Sequence, residues 1–463
     1  MIVEVKKYNT EDHLVFLLGK KNNEVSDIHP LAQELATTFL EGKEEVDYLK
    51  LGSQFIFFVK DDLSDEKLRI AGNTVRTKLP KDAKKVTISG KKDTALVIAE
   101  GLVLSNYQFL KYYKNADERK YQLESVEVIG KFEKEQIQKL NNILKAVCWA
   151  RDMVNEPVSF LTATQLATEI QKLGEEAKFS VQVLEKAKIE ALKMGGLLAV
   201  NKGSVEPPTF SIIEYKPKNA RNKKPLVLVG KGIVYDTGGL SLKPTAGSMD
   251  LMKSDMAGAA CMSATIYAAA LNQLDVHIVG LIPATDNRPG LNAYAPGDVV
   301  HMYDGTTIEV LNTDAEGRMI LADALAYSAK FNPELVIDAA TLTGAAVVAI
   351  GTKASCMMGN AKQKVLDKLV EAGNDVHERL VQLPFWDEYK DELKSSVADM
   401  KNIGSRYAGM ITAGKFLEHF VKAPYVHLDI AGPAFLEAPE NYKGKGGTGV
   451  GVRLLHEFIE KHF

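Results

Sequence analysis

The sequence predicts a two-part α/β fold. A smaller N-terminal α/β domain precedes a larger C-terminal one, whose central mixed, largely parallel sheet is flanked by helices. Three observations carry this. At 463 residues the chain is longer than one hydrophobic core usually organises. Beyond residue 162, short and nearly continuous apolar runs alternate with helical stretches, as expected of strands buried on both faces. Between the halves, Glu133 to Met153 is a single amphipathic run with Ile137, Leu140, Ile143, Leu144 and Val147 at helical spacing. The boundaries read as 1–132 for the first domain, 133–161 for a connecting helix and linker, and 162–463 for the second domain.

In the first domain, Gln54–Val59 and Lys85–Ile88 read as strands, and Thr94 to Tyr113 as a helix. The connecting helix ends before Pro157. Arg151–Pro157 reads equally as a capped helix end or as part of a site. In the second domain, Ser180–Leu184 reads as a strand, Glu185–Met194 as a helix and Phe210–Tyr215 as a strand. The basic stretch Lys216–Lys224 reads as a solvated hairpin tip. Buried strands are then expected at Leu226–Tyr235, Val276–Ile282, Thr307–Leu311, Leu335–Ile337 and Val426–Ile430. Helices are expected at Gly258–Leu271 and Met319–Lys330.

Composition narrows the function classes. Hydrophobic content of 46% and charged content of 25% are those of an ordinary globular protein. A net charge of -3 gives no electrostatic case for nucleic acid or an anionic membrane. No apolar stretch reaches the roughly 18 residues of a membrane span. The N-terminus alternates like a strand rather than carrying a signal peptide's apolar core. The three cysteines, Cys148, Cys261 and Cys356, are far apart and read as buried thiols. A cytoplasmic protein is expected.

The chemistry-bearing residues gather immediately after the buried runs. Asn312-Thr313-Asp314-Ala315-Glu316-Gly317-Arg318 sets two carboxylates two residues apart, with a guanidinium two further on. The glycine-rich run from Lys231 to Asp255 adds Lys231, Asp236, Lys243 and Asp255. In open α/β sheets such turns converge on a crevice at the carboxyl ends of the strands. Asp236, Asp255, Asp314 and Glu316 together would repel one another strongly, and divalent cations offer the missing counter-charge. Capping a helix explains Asp314 or Glu316 singly, but poorly the whole set. Gly230-Lys231-Gly232 does not fit a phosphate loop, because the apolar run continues through it. Lys231, inside that run, is either paired with the carboxylates or a neutral amine ligand. Lys243 lies where it could polarise a carbonyl, and Arg318 at a helix start makes an anion site. A dinuclear metal hydrolase with an anion beside its metals is the reading these residues support.

The seven residues Asn312–Arg318 are identical to the signature of the leucyl aminopeptidase, or cytosol aminopeptidase, family of dinuclear metallopeptidases (the M17 group). Lys231–Pro244, Met252–Ala260, Asp338–Ala345 and Asp429–Ala434 resemble its other segments in the right order. The resemblance is close over about 150–463. It implies that the larger domain is a catalytic metallopeptidase domain holding two divalent ions, zinc or manganese, with magnesium or cobalt as alternatives. One ion falls to Asp236, Asp314 and Glu316, with the Asp314 carbonyl. The tighter one falls to Lys231, Asp236, Asp255 and Glu316. The resemblance further implies a metal-bridging water as nucleophile, a bicarbonate held by Arg318 as proton shuttle, and Lys243 stabilising the oxyanion.

Leu342's carbonyl would position the substrate, and Met252, Thr341, Gly344 and Ala431 would line an apolar pocket suited to Leu or Met. Short peptides with a free N-terminus are the implied substrates, and a homohexamer the implied assembly. A different dinuclear hydrolase such as a phosphoesterase, and a DNA-binding or regulatory scaffold on the same fold, are the rival readings. One departure stands out: the stretch between Lys243 and Asp255 is one residue longer than in many members. The extra residue is expected to loop out near Ala246-Gly247-Ser248 without moving Asp255.

Overall fold

The structure is a computed structural model, and it describes residues 1–19, 25 and 28–463, the side chain of residue 134 excepted. It divides into two compact units, 1–148 with 438–445, and 149–437 with 446–463. The segment 438–445 belongs to the first unit, a return of the chain that periodicity does not signal. Its Tyr442 is buried and donates its hydroxyl to Glu66 Oε2 at 2.8 Å.

The first unit holds a six-stranded sheet ordered Ile2–Val5, Ser125–Ile129, Lys85–Ser89, His13–Leu18, Gln54–Lys60, Val46–Leu51. All its neighbours are parallel except the last pair, which is antiparallel. The helix expected over Thr94–Tyr113 is Lys92–Ser105. It stops because Asn106 turns its side-chain amide to the Leu123 carbonyl (3.2 Å) instead of continuing the apolar stripe. The long helix Lys134–Asn155 runs across the division of the chain and ends two residues before Pro157.

The second unit is built on a nine-stranded sheet. Its order is Leu380–Gln382, Ser355–Gly359, Tyr425–Asp429, Leu335–Ala340, Leu226–Gly230, Ile278–Asn287, Thr209–Tyr215, Ser180–Leu184, with Gly232–Asp236 also on Ile278–Asn287. The centre is parallel. The pairs Ile278–Asn287 with Thr209–Tyr215, Ser180–Leu184 with Thr209–Tyr215, and Ser355–Gly359 with Tyr425–Asp429 are antiparallel. Apolar residues of the central strands are almost wholly buried against helices such as Ala257–Leu271 and Glu316–Ser328. The mixed, largely parallel sheet with flanking helices is therefore the architecture of this unit.

Four local expectations are corrected. Leu226–Tyr235 is two strands, because the chain leaves Leu335–Ala340 at Lys231 and keeps only Ile278–Asn287 as neighbour, with a register shift between Ile233 and Asp236. Thr307–Leu311 is a short strand, Thr307–Glu309, outside the central sheet. It pairs with Val299–His301 and Met400–Lys401. Its alternation of buried Ile308 with partly exposed Thr307 and Glu309 marks a strand covered on one face only. The helix expected over Glu185–Met194 is only Lys186–Ala191; it stops before Lys193, left-handed at φ 56, and a separate helix, Gly195–Asn201, follows. Lys216–Lys224 is not a hairpin, since the strands it joins lie on either side of Ile278–Asn287 rather than beside each other. Of the cysteines, Cys261 and Cys356 are buried and Cys148 is only partly so.

Candidate metal centre

Lys231, Asp236, Asp255, Asp314, Glu316, Lys243 and Arg318 come from four chain segments, and the parallel strands bring them to one end of the sheet. Asp236 closes the strand Gly232–Asp236. Glu316 and Arg318 open the helix Glu316–Ser328, where a carboxylate is favoured by the unpaired N–H groups of the first turn. Asp255 caps the short 3-10 turn Met249–Ser254. Lys231 sits at the break in its strand, and its stem passes beside Gly317. A Cβ on Gly317 would lie 2.3 Å from Lys231 Cε, so a larger residue there would have to displace the ammonium from its place among the acids.

Oxygens of Asp236, Asp255 and Glu316, all buried, lie within 4.8 Å of one another. Lys231 Nζ is 2.7 Å from Asp255 Oδ1 and 2.9 Å from Glu316 Oε1, and donates to the Thr341 carbonyl at 2.8 Å. Of the two roles open to Lys231, the geometry places it in ion pairs, and despite its burial the three acids Asp255, Glu316 and Asp236 raise its pKa. Lys243 Nζ is 3.0 Å from Asp236 Oδ2 and 2.6 Å from Asp314 Oδ1, and its pKa is likewise raised against burial by Asp236, Glu316 and Asp314.

Four carboxylates thus face two ammoniums, and negative charge is in excess. The excess shows in the titration. Burial, reinforced by Glu316, pushes Asp236 up to about 7. Burial also drives Asp255 well above the usual carboxylate range. Glu316, although burial opposes its charge, is held below that range by Lys231 and Lys243. Asp255 Oδ2 and Glu316 Oε2 are buried without a hydrogen-bond partner. Buried carboxylate oxygens left this way are costly unless a cation meets them. An all-oxygen set of this kind, with one amine, fits a pair of divalent ions.

A hydrogen-bond scaffold holds the acids. Asp236 Oδ1 accepts from Gly238 N–H and from Asn287 Nδ2, each at 2.8 Å. Asn287 Nδ2 and the Tyr294 hydroxyl also donate to the Thr313 carbonyl, at 3.0 and 2.9 Å. Thr313 Oγ1 donates to Gly238 O at 2.6 Å and accepts from Ser241 N–H at 2.8 Å. Gly238 is left-handed at φ 83, which permits this turn. Asn402, fully buried, accepts from Leu311 N–H at 2.8 Å and donates to Asn312 O at 2.7 Å. Its own carbonyl accepts from Arg318 Nη1 at 2.8 Å. Arg318 is buried, its pKa lowered to about 10 by that burial, and its Nε has no hydrogen-bond partner.

The expected pocket residues divide. Thr341, Leu342 and Ala431 are half-buried where two adjacent strands end. Thr341 Oγ1 donates to Asp255 Oδ1 at 2.7 Å. Gly344 is exposed at the first turn of Gly344–Ile350, and a Cβ there would meet nothing within 4 Å. Met252 is half-buried, one turn before Asp255, whose N–H donates to its carbonyl at 3.2 Å. In the longer stretch, Ala246 and Gly247 are exposed, and Gly247, at φ 70, has open space around it. Arg151–Pro157 is structural: Arg151 Nε donates to Gly447 O at 3.1 Å, and Asn155 Oδ1 accepts from Gly447 N–H at 2.9 Å. Sequence reasoning missed Asn287, Tyr294 and Asn402, and gave no role to Asp429. Asn287 and Asp429, each at the end of a buried strand, could have been found by the rule that located the others.

The model of the cytosol aminopeptidase family's catalytic domain matches residues 148–456. The chain belongs to that family. A protein of Chloroherpeton thalassium described as a probable cytosol aminopeptidase is 52% identical over 312 residues, 67% of this chain and 60% of that one. One so described in Geobacter sp. (strain M21) is 44% identical over 370 residues, 79% of this chain and 75% of its own length. The first curated relatives are thus matched over only about 60 to 62% of their length. Among solved structures, the bottromycin maturation enzyme BotP in complex with Mn superposes with a TM-score of 0.86 at 30% identity, covering 98% of this chain and 99% of that one. A mutant of tomato leucine aminopeptidase superposes at 0.86 with 28% identity, covering 100% and 96%.

Proposed function

We propose that this chain is a metal-dependent aminopeptidase that releases apolar N-terminal residues, Leu and Met foremost, from short peptides. The observation that carries the proposal is the buried cluster of Asp236, Asp255 and Glu316, with excess negative charge and two carboxylate oxygens lacking partners, in a chain of this family. Asp236, Asp314 and Glu316 would hold one ion, and Lys231, Asp236, Asp255 and Glu316 the other. Bound there, a pair of divalent ions would polarise the scissile carbonyl, lower the pKa of an attacking water and supply the positive charge that frees Lys231 of its proton. BotP's structure with Mn makes manganese the first ion to load, and zinc the second to try.

The remaining work falls to this chain's own groups. Lys243, kept cationic by Asp236 and Asp314, brings positive charge to a carbonyl oxygen as it becomes an oxyanion, a task worth several kcal/mol in comparable sites. Arg318, cationic at neutral pH and with Nε free to donate, would hold a small anion such as bicarbonate beside the metals. Held by Arg318, such an anion would supply a proton acceptor beside the attacking water, the part otherwise taken by a Glu or His side chain. Asp255 and the turn at Thr341–Leu342 would receive the substrate's free amino group. Among the described residues, no helix is long and apolar enough to cross a membrane. The same reading has the chain in the cytoplasm as a homohexamer, which sedimentation would test. The activity test is direct: leucine p-nitroanilide should be hydrolysed after Mn or Zn is added and spared when EDTA is present. No hydrolysis under either metal sinks the proposal.

A further inference from the structure

The motif Asp429-Ile430-Ala431-Gly432-Pro433-Ala434 is left without a role for its first residue. Asp429 ends the strand Tyr425–Asp429 and is 1% exposed. Its partner in the parallel register is Ala340, the last residue of the neighbouring strand. The carboxylate therefore sits level with the start of the neighbouring turn, Thr341–Gly344, and makes three contacts there and in its own loop. Oδ1 accepts from Leu342 N–H and from Ala431 N–H, each at 3.2 Å. Oδ2 accepts from Thr343 Oγ1 at 2.7 Å. That hydroxyl also accepts from Ala346 N–H at 3.1 Å, capping the helix Gly344–Ile350. From the opposite side, Lys231 donates to Thr341 O and Thr341 Oγ1 donates to Asp255.

We infer that Asp429 is a positioning residue that sets selectivity for the substrate's N-terminal side chain. One buried carboxylate clamps the two loops, Thr341–Gly344 and Ala431, that face each other across the place where that side chain would rest. This rests on the aminopeptidase reading above and deepens it. The turn has two holds with different jobs. Lys231 and Asp255 tie its first residue to the metal cluster, where the chemistry belongs. Asp429 ties the rest of the turn to the Ala431 loop, which sets the width of the slot. Gly344 borders open space, and the next packed residue of that segment is Ala346, so the Asp429 contacts are the ones that fix Leu342 and Thr343 between the cluster and the helix. Asp429 touches no reacting atom. Its removal should loosen the slot and leave the cluster of Asp236, Asp255 and Glu316 as it is.

The test uses the metal-loaded full chain with leucine and alanine p-nitroanilides. In Asp429→Ala, KM for the leucine substrate should rise about tenfold or more, while kcat changes less than about threefold. The preference for leucine over alanine should fall at least about fivefold, with metal content unchanged. Asp429→Asn should keep most of the preference, because its carbonyl can still accept both N–H groups and its amide can donate to Thr343. Thr343→Val removes one clamp contact and should shift the preference in the same direction by a smaller factor, which keeps the test alive if Asp429→Ala does not fold. An unchanged preference in Asp429→Ala, or in Thr343→Val where Asp429→Ala does not fold, overturns the inference, and so does an equal loss of kcat on both substrates. Failure of the unmutated chain to cleave either substrate would instead remove the aminopeptidase reading beneath it.

Discussion

Both units of the chain are parallel-sheet α/β structures, yet only one gathers chemistry at the carboxyl ends of its strands. In the smaller sheet those ends run into Gly19, Asp61, Gly90 and Gly130. Asp61, its side chain nearly buried, is answered there by an exposed Lys91 at 2.7 Å, so its charge has a counter-charge at hand. In the larger sheet, Lys231, Asp236, Asp338 and Asp429 are buried at or near the strand ends, each hydrogen-bonded or ion-paired to another polar side chain. The difference teaches that strand direction supplies a crevice, while burial of uncompensated charge makes it a candidate site.

The comparison breaks most visibly at the shared carboxylate. Glu316→Gln should lower kcat by about a thousandfold or more and reduce the bound metal measured by elemental analysis, since it would serve both ions. Full activity in that variant would mean the cluster is only structural. Lys243→Ala should lower kcat by about a hundredfold or more with a smaller change in KM, because its charge matters chiefly as the oxyanion forms; steady-state kinetics with metal in excess reads this.

A gentler cut sharpens the scaffold's part. Asn402→Ala should cost about 1–3 kcal/mol of stability in urea titration, from backbone groups of Leu311 and Asn312 left buried without partners. It should also lower kcat about tenfold by releasing the segment that carries Asp314 and Arg318.

The pH dependence of stability offers a fourth test away from the cluster. Asp323 is buried and accepts N–H bonds from Leu197 and Tyr303, and burial pushes its pKa up to about 7. Its folded value lies above that of the unfolded chain, near 3.9, so between about pH 4 and pH 7 the unfolded state binds fewer protons. Stability from this group must therefore fall as pH rises through that window and level off above it. Asp323→Asn should gain on the unmutated chain from about pH 5 to about pH 7 in thermal melts and hold level above that, and a gap constant across the window would refute the assignment. The smallest effect on catalysis belongs to the other sheet: Lys91→Ala, which removes only the partner of Asp61, should leave kcat/KM within about twofold.

Much of the fold was legible because strands buried on both faces need continuous apolar runs, and helices between them need a period near 3.6. The expectations that failed have local causes. Leu226–Tyr235 reads as one strand because hydropathy does not register a change of neighbour at Lys231. Thr307–Leu311 reads as a central strand on its apolar content, yet the alternation around Ile308 is that of a strand covered on one face, and it pairs outside the central sheet. The return of 438–445 to the first unit depends on Tyr442 finding Glu66, nearly four hundred residues away, and no periodicity encodes that.

The sequence by itself determined the acids, the two lysines and the arginine, their order and the family they resemble, because charge inside apolar runs has no packing explanation. Only the tertiary structure decided which groups face one another. It paired Lys231 with Asp255 and Glu316, gave Lys243 to Asp236 and Asp314, brought in Asn287 and Asn402 from segments with no signature, and showed what Asp429 holds. The reason is physical: a residue type announces the charge it can carry, but pairing energy depends on distance and burial, and those are properties of the packed sheet.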